Sequence, residues 1–107
     1  MNWHEIIDER NYEMDQVIAE VLRKNPEKIA SVVSWIEGKR AEDGVSPRIE
    51  DALEEWLSII RSQGLPGVLQ VLGDRGAEGT RLRQISPFAV LMPPEKRMEI
   101  LRKYEAR

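Results

Sequence analysis

Apolar residues in this chain recur every three to four positions and nowhere alternate convincingly at a period of two. That spacing lines one face of an α-helix, whereas a half-buried strand needs every second residue. The clearest case opens the chain. Trp3, Ile7, Met14, Val17 and Val21, with Ile6 and Ile18 alongside, predict a long helix from about Asn2 to Lys24. Arg10 falls within this stripe. A buried unpaired arginine is costly, so it should pair with a carboxylate such as Glu9 or Glu13, or the helix should bend near Asn11.

Prolines and glycines cut the remainder into helix-length pieces. Asn25-Pro26 predicts a boundary, with Asn25 as N-cap and Pro26 at the first helical position of a second helix. That helix carries Ile29, Val32, Val33 and Ile36 on one face, with Trp35 at its flank. Ser46-Pro47 repeats the start signal, and Ile49, Ala52, Leu53, Trp56, Leu57 and Ile60 form the packed face of a third helix. Gly64 stands where a left-handed C-terminal cap is expected. Leu65 to Gly73 predicts a short buried helix of two turns, and Asp74 caps the next one. Gly76 and Gly79 should weaken that helix's first turn by about 1 kcal/mol each relative to alanine. Phe88 to Met92 is expected as an apolar irregular segment, and Pro93-Pro94-Glu95 begins the final helix.

The expectation is therefore an all-α single domain, residues 1–107, of five or six helices with a long N-terminal helix. A chain of 107 residues supports one modest core. Ile29, Val33, Ile36, Leu53, Trp56, Ile60, Leu69, Leu72, Leu82 and Phe88 are its expected members.

Arg81-Leu82-Arg83-Gln84-Ile85-Ser86-Pro87-Phe88 is where this pattern changes. Pro87 disfavours helical geometry at Ser86, so the chain must turn and deliver Phe88 to the interior. Arg81 and Arg83 lie about 200° apart around a helix, so one should approach the packed side and the other face solvent. Ser86, Pro87 and Phe88 make a structural corner. Arg81, Arg83 and Gln84 could serve it internally or hold a partner.

The formal charge of −3 is unevenly spread: residues 1–63 carry −6 and residues 64–107 carry +3. Asp8, Glu9, Glu13 and Asp15 on the first helix form an acidic surface that could meet a basic partner. The mild positive charge of the second part is weak support for nucleic-acid binding. No apolar run is long enough to span a membrane. No charged segment followed by an apolar one opens the chain, and cysteine is absent, so a cytoplasmic location is expected.

Catalytic chemistry finds little foothold. His4 is the only histidine, and with no cysteine a zinc site lacks ligands. Asp8/Glu9 and Glu54/Glu55 read as solvated helix faces, without an apolar pocket to raise a carboxyl pKa. Gly73 to Thr80 is glycine-rich but lacks the lysine of a phosphate loop. The expectation is no catalytic residues, no metal, no cofactor and no enzymatic activity.

The C-terminal part resembles a family of small, poorly characterised bacterial proteins. The resemblance rests on Leu82-Arg83-Gln84-Ile85-Ser86-Pro87-Phe88-Ala89, then Leu91, Pro94-Glu95-Lys96-Arg97 and Ile100-Leu101. Val17 to Arg23 followed by Asn25-Pro26, and Trp35, also fit. Val90 departs from it, standing where a glycine is common. Such proteins look like the antitoxin-side partner of two-gene modules whose other member is a nucleotidyltransferase-like protein. The resemblance implies a non-catalytic protein that restrains this partner by direct contact. Asp8, Glu9, Glu13, Asp15, Arg81, Arg83 and Gln84 are the candidate contact residues. The alternatives are a DNA-binding repressor of its own operon and a structural dimer built on the first helix.

Overall fold

Asn2 opens the first helix, α1 (Trp3–Lys24), through a reciprocal cap. Its side chain accepts from the Glu5 N–H at 2.9 Å, and the Glu5 carboxylate accepts from the Asn2 N–H at 3.3 Å. Two otherwise orphaned donors are thereby satisfied. The computed structural model, which describes residues 2–105, is all-α, with five α-helices and one 3₁₀ turn around a common core. α1 runs unbroken past Arg10. That residue finds neither carboxylate: its Nη2 is 3.5 Å from the Asn11 side chain, and its Nε is buried without a partner among the described residues.

The face α1 turns inward is not the one the apolar stripe suggests. Asp15, Ile18, Ala19 and Leu22 are buried, a set centred roughly 110° around the helix from the stripe. Trp3, at the stripe's start, is 65% exposed.

Asn25 belongs to the end of α1, contrary to its expected role as the next helix's N-cap. Its side-chain amide and its backbone N–H both donate to the Val21 carbonyl, at 3.1 and 2.9 Å. After a turn, α2 (Lys28–Arg40) begins without a side-chain cap and buries Val32 and Ile36. Ser46 caps α3 (Pro47–Gly73) as expected, accepting from the Ile49 N–H.

Gly64 interrupts α3 with φ 64° and ψ −156°. The φ is positive as anticipated, but the ψ lies outside the left-handed helical well, in a region open essentially to glycine alone. Beyond this break, Pro66 starts the short segment that buries Gly67, Val68 and Leu72.

α4 (Ala77–Arg83) follows, then the 3₁₀ turn Pro87–Leu91, where an irregular segment was expected, and finally α5 (Pro94–Glu105). Of the expected core, Ile36, Leu53, Trp56, Leu72 and Phe88 are buried. Ile29, Val33, Ile60, Leu69 and Leu82 pack half-buried against them. Ile18, Ala19, Leu22, Val32, Leu57 and Val68 complete the buried cluster.

Gly79 has a role that helix propensity misses. Asp74 folds over the start of α4, accepting from the Gly76 N–H at 2.7 Å and the Gly79 N–H at 3.1 Å. A Cβ on Gly79 would collide with the Asp74 carbonyl and stand 2.6 Å from its Cβ. We expect Gly79→Ala to destabilise the chain by about 1 to 3 kcal/mol, the usual effect of overpacking. A raised urea midpoint, as propensity alone predicts, would overturn this account.

Candidate interaction site

α4 presents its two arginines in opposite directions, as their angular separation requires. Arg81 is half-exposed, and its donors are engaged on the outside of the molecule. Nη1 and Nη2 donate to Glu55 of α3 at 3.1 and 2.7 Å, and Nε donates to Glu78 at 2.7 Å. The Arg81 hydrogen bond holds the Glu55 carboxyl below its ordinary value, even against the opposing effect of burial. Glu55 is thus one arm of a planar bidentate pair, where a solvated helix face was expected.

Arg83 turns inward, with its side chain only 9% exposed. Nε lies 3.1 Å from the Asp15 carboxylate, and Nη1 donates to the Val71 carbonyl at 2.9 Å and to the Asp74 carbonyl. One guanidinium therefore ties α1, the end of α3 and α4 together. Tyr12 lies beside this junction, its ring centre 4.3 Å from the Arg75 guanidinium carbon and 5.6 Å from that of Arg83. Burial pushes the Asp15 carboxyl up to about 7, against the opposing pull of Arg83. Asp15 and Arg83 are thus joined to each other inside the fold, and neither belongs to an open surface.

The other acidic residues of α1 also have structural work. Glu9 pairs with Arg75. Glu13 accepts from Lys103 at 2.9 and 3.1 Å and from the Tyr104 hydroxyl at 2.7 Å, fastening α5 to α1. Asp8 is exposed, makes no ion pair among the described residues, and lines a groove with Asn11, Tyr12, Thr80 and Gln84. The acidic surface expected from α1 is therefore reduced near the corner to Asp8.

Beyond α4 the backbone turns as Pro87 demands. Ser86 adopts an extended conformation, and its hydroxyl oxygen accepts from the Phe88 N–H at 3.2 Å. Phe88 is fully buried, edge-on to Trp56 with ring centres 5.0 Å apart. The Trp56 indole N–H donates to the carbonyls of Leu82 and Ile85, at 3.1 and 2.9 Å, and so closes the corner from below.

With Arg83 and Phe88 drawn in, Gln84 is left exposed at the apex. No described residue hydrogen-bonds its side chain, and it lines clefts on both sides. One, of about 370 Å³, lies over Ala52, Trp56, Leu82 and Ile85. The other, of about 300 Å³, lies between α1 and the 3₁₀ turn. Met14, Ile18, Ala89 and Met92 form its apolar wall, Asp15 and Arg83 its base, and Ser86 and Arg97 stand at its edge.

Arg97, one of the basic residues behind the DNA-binding alternative, is not among the expected protein-contact residues, yet it lines this cleft. Asp15 shares one helical face with Ile18, Ala19 and Leu22, but the stronger apolar stripe through Trp3, Ile7, Met14, Val17 and Val21 points to another face. Among the described residues, no group of three or more His, Cys, Asp and Glu could hold a metal ion. No described helix is long and apolar enough to cross a membrane. Comparison with protein-family models, curated proteins and solved structures gives no match for this chain.

Proposed function

We propose that this chain is a non-catalytic binding protein of the antitoxin kind, restraining a nucleotidyltransferase-like partner by direct contact. The observation that carries the reading is the placement of the run behind the resemblance. Its inward members, Arg83 and Phe88, brace the corner from inside, while Gln84, Ser86, Ala89 and the following Arg97 line the cleft against α1. A surface held on a rigid base loses little conformational entropy when a partner docks. The DNA-binding alternative rests on Arg75, Arg81, Arg83, Arg97, Arg102 and Lys103. It draws less support because Arg75, Arg81, Arg83 and Lys103 are engaged by carboxylates of the same chain, leaving Arg97 and Arg102 without an ion pair among the described residues.

Co-expression with the product of the adjacent gene tests the proposal. The two proteins should co-purify, and this chain should relieve the partner's toxicity. No association and no relief would end the antitoxin reading.

A further inference from the structure

The cleft between α1 and the 3₁₀ turn has a chemistry that defines its occupant. Its wall is built from Met14, Ile18, Ala89 and Met92, so it accepts apolar surface, and two methionines let that wall adapt to an irregular side chain. At about 300 Å³ it is at the small end of ligand pockets, a size suited to one or two side chains. The charges at its base are already matched, since Arg83 faces Asp15 at 3.1 Å.

The edge differs from the base. Arg97 is exposed and its side chain makes no ion pair or hydrogen bond among the described residues, whereas neighbouring Lys96 is paired with Glu99 at 3.6 Å. The Ser86 oxygen accepts from the Phe88 N–H, which leaves its hydroxyl hydrogen free to donate. The Gln84 amide, unbonded among the described residues, supplies further donors. An unpaired guanidinium beside free hydroxyl and amide donors complements a carboxylate, which it can grip through two parallel hydrogen bonds.

We infer that the cleft binds a segment of a partner polypeptide that inserts an apolar side chain and places an adjacent Asp or Glu carboxylate against Arg97. A polypeptide fits better than a nucleic acid. The apolar wall offers a phosphate backbone nothing, and the adjoining groove, which shares Asn11, Arg83 and Gln84 with this cleft, carries the exposed Asp8 carboxylate. The inference rests on the proposed binding function and names the chemistry of the contact.

Amide NMR of the whole chain, titrated with two capped tetrapeptides, Gly-Leu-Glu-Gly and Gly-Leu-Gln-Gly, tests it. The glutamate peptide should perturb the Gln84 side-chain amide and the Ala89 and Met92 backbone amides. Affinity should fall at least tenfold, about 1.4 kcal/mol, for the glutamine peptide or in Arg97→Gln. Met92→Trp, which fills the cleft, should abolish the response while far-ultraviolet circular dichroism stays helical. Equal responses to both peptides, an unchanged response in Arg97→Gln, shifts confined to another surface, or no response would each overturn the inference. So would a short DNA duplex perturbing the same amides more strongly than the glutamate peptide. Undiminished co-purification of Met92→Trp with the adjacent gene product would also overturn it, yet leave the proposed binding function standing.

Discussion

Arg83→Ala should lower the free energy of unfolding by about 3 to 5 kcal/mol at pH 8, the usual cost of removing one partner from a buried ion pair. The loss is large because Arg83 does three things at once. It faces the Asp15 carboxylate at 3.1 Å, and its Nη1 satisfies the carbonyls of Val71 and Asp74. Without it, Asp15 keeps its desolvation and loses its counter-charge.

The effect should depend on pH. Burial raises the Asp15 carboxyl from 3.8 to about 7, so between these values the folded chain holds a proton that the unfolded chain has released. Stability in that window therefore falls as pH rises, and levels off above it. Removing Arg83 raises the carboxyl further and carries the decline to higher pH. The penalty of Arg83→Ala should accordingly be smaller at pH 5 than at pH 8, and Asp15→Asn should flatten the slope between pH 4 and 7. Urea midpoints across that range provide the measurement. A penalty below about 1 kcal/mol that does not change with pH would refute the role given to the pair.

Phe88→Ala should cost about 3 to 5 kcal/mol, combining lost transfer energy with the cavity left behind. The ring is fully buried and meets Trp56 edge-on, with ring centres 5.0 Å apart and an interplanar angle of 73°. Trp56 in turn anchors the carbonyls of Leu82 and Ile85, so a cavity at Phe88 removes support from under the corner. Val90→Ala, two residues on at a residue 51% exposed, is the control and should stay within about 0.5 kcal/mol of the parent. An unchanged midpoint for Phe88→Ala would mean that the corner does not rest on this ring.

Where local rules act alone, the chain was legible. Helical spacing and the absence of period-two alternation specify the all-α class, and Ser46-Pro47 starts a helix because a hydroxyl cap and a fixed φ act within one turn. The opposed directions of Arg81 and Arg83 follow from helix geometry. Asn25 misled because an asparagine before a proline can serve either neighbouring helix, and the Val21 carbonyl claimed it. Gly79 read as a weakness because propensity does not register the Asp74 backbone lying across it.

By itself, the sequence determined the all-α class, the helix start at Ser46-Pro47, the turn at Ser86-Pro87, and the need to bury Phe88. Each follows from steric or apolar preferences that act within a few residues. Only the tertiary structure decided which face of α1 meets the core, and thus that Asp15 lies inside with Arg83 while Glu9 and Glu13 fasten Arg75 and α5. An acidic residue carries the same local signal whether it is solvated or paired. Its partner comes from a distant part of the chain and is assigned only when packing brings the helices together.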